Sequence, residues 1–172
     1  CHNNQAPPTS TTMMMAVGDA FAIALLEGRG FSALDFHVFH PGGRLGAELK
    51  QVGAVMHVGE RMPVVPLGTP MTDAIVVQSE KGFGCVVVVD GDGELAGIVT
   101  DGDLRRHMGG SLLGKRVDEV MTCNPTVIPR DTLLGEALEI IESRGISALL
   151  VAEGRRPVGI VHVLDLLRAG VA

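Results

Sequence analysis

The sequence predicts an α+β fold in which two β-α-β-β-α units follow a helical segment. The first observation behind this prediction is an internal repeat between residues 55 and 168. Val55-Met56 recurs as Val120-Met121, and Gly97-Ile98-Val99 recurs as Gly159-Ile160-Val161. The second is that, in both copies, apolar runs of strand length alternate with glycine-containing turns and with segments whose apolar residues recur at helical spacing. Since one unit of about 50 residues has too little apolar interior to fold alone, we expect the copies to share a core.

Copy one starts with β-branched residues and continues with a helix, for which Thr69 is the expected N-cap and Pro70 the first helical position. A continuous apolar run follows, which is typical of a strand buried on both faces. The Asp-Gly pairs of residues 90–93 then predict a tight hairpin turn. The predicted elements are strand Val64-Val65, a helix starting near Thr69, strand Cys85–Val89, strand Leu95–Thr100 and helix Asp103–Met108.

Copy two repeats this order. Its helix has a polar start at Asp131, and Leu134, Leu138 and Ile141 recur at helical spacing, so they predict one apolar face. Gly145 is the expected helix stop. The predicted elements are strand Thr126–Ile128, a helix through Ile141, strand Ala148–Val151, strand Val158–His162 and helix Asp165–Ala169.

The residues before the repeats form a separate segment, so we divide the chain into residues 1–50, 51–112 and 113–172. Met13–Leu26 is a strongly apolar helix closed by Gly28-Arg29-Gly30, and its methionines are expected to pack in a core. The chain has no initiator methionine and no strand precedes this helix. We therefore expect the chain to begin inside a larger domain.

Composition argues against several classes of function. The formal net charge of -6 and the aromatic content of 3% disfavour nucleic acid as a partner, because neither a basic face nor stacking platforms are available. The odd number of cysteines (Cys1, Cys85, Cys123), with no C-x-x-C pair, favours a reducing compartment. The histidines lack metal-ligand spacing. No signal peptide and no apolar stretch of membrane length is visible, so we expect a cytoplasmic protein without a membrane partner.

A motif at the end of the last strand of copy one points to a ligand. Thr100 ends the strand, and Asp103 follows three residues later where a helix starts. A carboxylate can accept both vicinal hydroxyls of a ribose, the helix start offers amides to phosphate, and Gly102 leaves room for a ligand to approach the backbone. The alternative is that Thr100 and Asp103 only cap the helix.

Residues 55–170 resemble the CBS family through this element order and through the strand-end motif G-h-h-[ST]-x-x-D, in which h is apolar. The resemblance implies a tandem CBS pair, in which Thr100 and Asp103 hold the ribose of a bound nucleotide. In copy two Asp165 is kept, but His162 replaces the Ser or Thr. An imidazole at that position would stack on a base or meet a negative group.

Four further residues are candidate ligand contacts. Arg105 and Arg106 follow the motif, but adjacent helical positions point different ways, so at most one is expected to face the cleft. Met121 and Thr122 precede the first strand of copy two and are expected to line the cleft. A solvated surface for the arginines and a plain linker for Met121-Thr122 are the alternatives.

The N-terminal segment resembles a second family. The stretches Gly18-Asp19-Ala20, Arg29-Gly30-Phe31 and His40-Pro41-Gly42-Gly43, together with Thr100–Arg106 and Asp165–Gly170, resemble arabinose-5-phosphate isomerases. These enzymes carry a CBS pair after a sugar isomerase (SIS) domain, so residues 1–50 would be the helical C-terminal remnant of that domain. The resemblance implies a full-length enzyme that interconverts ribulose 5-phosphate and arabinose 5-phosphate for Kdo and lipopolysaccharide biosynthesis. His40 matches its active-site histidine, and the alternative is a structural histidine.

The remaining catalytic residues of that family are not in this chain, so we expect the fragment alone to be inactive. The resemblance implies no required cofactor and a small-molecule nucleotide or nucleotide sugar as partner. CMP-Kdo, as the activated end product, is the first hypothesis for feedback control, with CMP as a related cytidine ligand. AMP or ATP is the alternative, and a ligand-free oligomerisation module is another. Self-association through CBS pairs into a dimer or tetramer is expected.

Overall fold

The structure, a computed structural model, describes residues 8–31, 44–109 and 111–171. The chain forms two compact units, Cys1–His40 and Pro41–Ala172. Helices and strands are numbered below in chain order over the described residues. The stretch His40-Pro41-Gly42-Gly43 lies outside them.

In the first unit, the described part is dominated by one helix, α1 (Pro8–Gly28). The predicted helix is therefore confirmed, and it starts five residues earlier than expected. All the side chains described for it are exposed, including Met14 at 75% and Phe21 at 69%. The expectation that its methionines pack in a core is therefore not met among the residues that the structure describes. A helix that is apolar on all sides is normally covered by other protein or by lipid.

The expectation that no stretch reaches membrane length is wrong for this helix. By length and apolar composition alone, Ser10–Gly28 would suffice to cross a bilayer. A core helix of a soluble protein meets the same criterion, so the finding does not by itself indicate a membrane.

The second unit contains the two predicted repeats, and each has its own sheet. Copy one forms strands in the order β1-β2-β3-β4, with β1 parallel to β2 and the later pairs antiparallel. Val87 is paired with Val64 on one side and with Ile98 on the other. The elements of copy one are β1 (Val64–Pro66), α3 (Met71–Lys81), β2 (Cys85–Val89), β3 (Leu95–Thr100) and α4 (Asp101–His107). Helix α2 (Arg44–Glu48) precedes this copy, and the edge strand β4 (Thr122–Cys123) follows it in the chain.

Copy two repeats the arrangement with three strands in the order β5-β6-β7. Here β5 is parallel to β6, and β6 is antiparallel to β7. The elements are β5 (Val127–Ile128), α5 (Leu134–Arg144), β6 (Ala148–Glu153), β7 (Arg156–His162) and α6 (Val163–Arg168). The α+β prediction with two β-α-β-β-α units is confirmed.

The predicted helix starts need correction. Helix α3 has Pro70 as its N-cap and begins at Met71, so Thr69 is not the cap. The hydroxyl of Thr69 donates instead to the carbonyl of Pro66 at 2.7 Å, within the preceding turn. In copy two the helix begins at Leu134, three residues after Asp131. The predicted stop at Gly145 is confirmed, because this residue adopts the left-handed conformation with φ 61.

The segment that leads into each repeat packs on the other repeat. We call residues 51–57 leader 1 and residues 116–123 leader 2. In leader 1, the amide of Val52 donates to the carbonyl of Thr132 at 2.8 Å, and His57 pairs with Ile160. In leader 2, the amide of Val117 donates to the carbonyl of Thr69 at 3.0 Å, and Thr122 in β4 pairs with Ile98. The two repeats are therefore interlocked.

Strand β2 shows why its continuous apolar run is buried on both faces. Side chains alternate across a strand, so Val86 and Val88 enter the core of copy one while Cys85 and Val87 enter a second cluster. That second cluster also contains Leu150 and Ile160 of copy two, and it joins the two sheets. A third cluster fills copy two and includes Val52, Leu134, Leu149, Val161 and Leu166. The expected shared core is present.

Candidate functional site

The carboxylate of Asp103 lies where β3 ends and α4 begins, and it forms a capping box with Thr100. The amide of Asp103 donates to Thr100 Oγ1 at 3.2 Å, and the amide of Thr100 donates to Asp103 Oδ2 at 2.8 Å. The Thr100 hydroxyl also donates to Oδ2 at 2.6 Å. A Ser or Thr followed three residues later by an acid favours this arrangement. The sequence motif is thus first of all a helix start.

Two further side chains reach the other oxygen of Asp103. The hydroxyl of Thr122, from leader 2, donates to Oδ1 at 3.1 Å, and Arg106 forms an ion pair with the same oxygen. Burial, with 3% of the residue exposed, would raise the pKa of Asp103, but the hydrogen bonds from Thr100, Arg106 and Thr122 outweigh it and hold that pKa below its ordinary value. Asp103 is therefore an ionised, nearly enclosed group.

The two arginines of α4 differ, as expected for adjacent helical positions. Arg106 turns back over the start of the helix: a Cβ added at Gly102 would lie 3.5 Å from Arg106 Nη1. Its side chain is nevertheless 65% exposed, so it can leave Asp103 without disturbing a core. Arg105 is exposed and forms no ion pair with any residue that the structure describes. Thr100, Gly102, Asp103, Arg106 and Thr122 thus come together, and Arg105 forms no hydrogen bond or ion pair with them in the described structure.

An equivalent cluster lies at Asp165, where β7 ends and α6 begins. The amide of His162 donates to Asp165 Oδ2 at 3.0 Å, and the amide of Leu164 donates to His162 Nδ1 at 3.2 Å. The imidazole of His162 thus takes the capping role that Thr100 has in copy one. Arg168 Nη1 lies 3.6 Å from Asp165 Oδ1.

One further residue, which no sequence motif marks, contacts the carboxylate of Asp165. His57 Nε2 lies 3.0 Å from Asp165 Oδ2, and the His57 ring meets the Phe83 ring edge-on at 5.1 Å. His57 follows Met56 as Thr122 follows Met121, so the repeat alignment already places these two residues in equivalent positions. Each strand-end carboxylate is therefore contacted by the leader that belongs to the other repeat in sequence.

The methionine of each leader packs on the glycine of a strand-end motif. A Cβ added at Gly97 would lie 2.7 Å from Met121 Sδ, and one added at Gly159 would lie 2.6 Å from Met56 Sδ. This contact explains why the Val-Met pair and the Gly-Ile-Val stretch recur together. Met121 is half-buried and holds leader 2 against β3.

Within the described residues, no group of three His, Cys, Asp or Glu side chains is arranged to bind a metal ion. Both cysteines described, Cys85 and Cys123, are free. Burial and, to a smaller extent, the charge of Asp101 raise the pKa of the Cys85 thiol to about 12. A reactive thiolate at Cys85 is therefore not available to the site.

Comparison with known proteins places these features in context. The family model for the CBS domain matches residues 52–110 and 117–172. The arabinose 5-phosphate isomerase KdsD of Pseudomonas aeruginosa is 50% identical over 99% of this chain and 54% of that protein. KdsD of Yersinia pestis is 43% identical over 99% of this chain and 53% of that protein. The chain thus spans about half the length of the curated relatives it matches.

Solved structures share the fold of the second unit. An uncharacterised conserved protein of Pyrococcus horikoshii has a TM-score of 0.63 and 27% identity, covering 73% of this chain and 95% of that one. CBSX2 in complex with AMP has a TM-score of 0.61 and 26% identity, covering 70% of this chain and 96% of that one.

Proposed function

Because the chain belongs to the CBS domain family, we propose that its repeats bind a nucleoside phosphate and thereby regulate an attached arabinose-5-phosphate isomerase. The observation that carries this proposal is the pair of strand-end carboxylates, Asp103 and Asp165, each contacted by the leader of the other repeat. A bound ligand at either carboxylate would touch both repeats. The AMP complex of CBSX2, at 26% identity, supports a nucleotide as the class of ligand.

The chemistry of recognition follows from these groups. An ionised carboxylate such as that of Asp103 accepts hydrogen bonds from the two vicinal hydroxyls of a ribose. In the described conformation the guanidinium of Arg106 covers Asp103. Ligand binding at Asp103 therefore requires Arg106 to move from the carboxylate to the phosphate. This exchange replaces one charge-assisted contact by another and leaves Thr100 and Gly102 to shape the cleft.

The identity of the ligand is the finer part of the proposal. CMP-Kdo carries a ribose, a phosphate and a carboxylate, and Arg106, which reaches the Asp103 cluster, can meet either of its two acid groups. As the activated end product of the pathway, CMP-Kdo would give feedback inhibition. AMP or ATP would instead report the energy state of the cell.

Calorimetric titration of the chain with CMP-Kdo, CMP, AMP and ATP tests both the class of ligand and its identity. Heat from the cytidine ligands alone supports feedback control, and heat from AMP or ATP alone supports energy sensing. If none of the four ligands gives heat, nucleoside phosphate binding is refuted.

For the complete protein we propose the activity of its curated relatives, the interconversion of ribulose 5-phosphate and arabinose 5-phosphate in the cytoplasm. In that protein His40 would act in proton transfer between adjacent carbons, and the exposed apolar side chains of α1 would pack against the rest of the isomerase domain. The present chain alone is expected to be inactive. A coupled assay that detects turnover by this chain would contradict that expectation.

A ligand-free oligomerisation module is the second candidate, favoured by apolar side chains on the helices. Val76 is 55% exposed, and Leu164 and Leu167 of α6 are 49% and 44% exposed. Analytical ultracentrifugation separates the two candidates. A stable dimer or tetramer, together with no heat from any of the four nucleotides, would favour the structural role.

A further inference from the structure

We infer that the two clefts are unequal, and that a nucleoside phosphate occupies the Asp165 cleft before the Asp103 cleft. This inference rests on the proposed function and names which carboxylate carries the ligand. It reverses the ranking that the motifs suggest, since copy one keeps the Thr of the strand-end motif and copy two replaces it by His162.

The acceptor positions of Asp103 are filled. A carboxylate offers about four lone-pair positions. The amide and the hydroxyl of Thr100 occupy two of them, and Thr122 and Arg106 occupy the others. Only 4% of the Asp103 side chain is exposed. A ribose diol must therefore displace at least two existing donors before it can bind there.

Asp165 is held more loosely. Its Oδ2 accepts from the amide of His162 and lies 3.0 Å from His57 Nε2. Its Oδ1 has Arg168 at 3.6 Å, beyond hydrogen-bond distance, and accepts no hydrogen bond from any residue that the structure describes. The side chain is 12% exposed, three times the fraction of Asp103. One carboxylate oxygen is thus ready to accept a hydroxyl, and Arg168 stands beside it for the phosphate.

Occupation of this cleft has a direct path to the start of the second unit. A ribose diol that binds both carboxylate oxygens uses the open Oδ1 and also takes Oδ2, where it displaces His57. His57 belongs to leader 1, and its backbone is hydrogen-bonded to Ile160. Leader 1 is itself connected to α2, which packs on α5, and the carbonyl of Lys50 accepts from the amide of Leu134. Leader 2 instead continues into β5 of copy two. The Asp165 cleft is therefore the one whose leader is joined to α2.

The test compares two isosteric variants of the 172-residue chain, Asp165→Asn and Asp103→Asn, by calorimetric titration with CMP-Kdo, CMP, AMP and ATP. Whichever of the four binds the wild-type chain most tightly serves as the probe. We expect Asp165→Asn to weaken binding at least tenfold more than Asp103→Asn does. Thermal unfolding should show the opposite order, because Asp103 makes more hydrogen bonds within the protein.

A second pair of variants covers the case in which Asp103→Asn does not fold. Arg168→Ala and Arg106→Ala both remove a guanidinium three residues after the carboxylate, and these side chains are 77% and 65% exposed, so neither change disturbs a core. Arg168→Ala is expected to weaken binding more. Wild-type chain that binds none of the four ligands refutes the proposed function together with this inference. Binding that is lost in the Asp103 and Arg106 variants but kept in the other two overturns the inference alone.

Discussion

Replacement of Gly97 by alanine tests how leader 2 is held against β3. The added Cβ would lie 2.7 Å from Met121 Sδ and 2.9 Å from the carbonyl oxygen of Thr122. The methionine can move, but the carbonyl belongs to the β3–β4 pairing, so the strand itself must shift. Overpacking of this kind costs about 1–3 kcal/mol, and a backbone obstacle puts Gly97→Ala at about 2–3 kcal/mol. At about 2–4 °C per kcal/mol for a chain of this size, the midpoint of thermal unfolding should fall by about 4–12 °C.

The pseudo-symmetry of the pair supplies the matched control. At Gly159 the added Cβ would meet Met56 Sδ at 2.6 Å, but the nearest backbone atom is the His57 carbonyl oxygen at 3.4 Å. Because only a flexible side chain obstructs it, Gly159→Ala should cost about 1 kcal/mol. Gly91→Ala meets nothing within 4 Å and should stay within about 0.5 kcal/mol of wild type. Equal unfolding midpoints for the Gly97 and Gly159 variants would refute the argument.

Two other predictions concern titratable groups. The pKa of Asp103 is lower in the folded chain than its ordinary value, so its contribution to stability is complete above the unfolded pKa and is lost as the pH falls through the folded pKa. The free energy of unfolding should therefore decline below about pH 4. Asp103→Asn should flatten that decline, and an unchanged acid limb in denaturant unfolding would contradict this. For the thiols, iodoacetamide at pH 8 should modify exposed Cys123 and leave Cys85 intact, because burial raises the pKa of Cys85 to about 12. Peptide mapping by mass spectrometry checks this, with denatured chain as the control for labelling of Cys85. Similar labelling of both residues in the native chain would show that Cys85 is accessible.

Strong local signals predicted most of the secondary structure. Strands Cys85–Val89 and Leu95–Thr100 have the predicted bounds, because apolar runs and the Asp-Gly turn between them act over neighbouring residues. Helix starts were less accurate. As an N-cap, the Thr69 oxygen would accept from a helix amide, but in the structure its hydroxyl donates to the carbonyl of Pro66 in the preceding turn. The two-residue strand β4 carries no periodic signal and was not predicted.

The candidate site was predicted in part. Thr100, Gly102, Asp103 and Arg106 come together as the spacing suggested, since a strand end and a helix start fix them locally. His57 was missed, because it contacts Asp165 across 108 residues of sequence and no motif marks it. The repeat alignment of Met56-His57 with Met121-Thr122 was the signal that would have found it.

The sequence alone determined the duplicated β-α-β-β-α order and the placing of a carboxylate after the last strand of each copy, because periodicity, turns and caps are properties of a few adjacent residues. Only the tertiary structure decided that each leader packs on the other repeat, and that Asp103 is saturated while Asp165 keeps an open oxygen. Those outcomes depend on which distant side chains arrive at the same place. The packing of the shared core decides which side chains meet, because β2 contributes side chains to one cluster on each of its faces. No local sequence pattern predicts that packing.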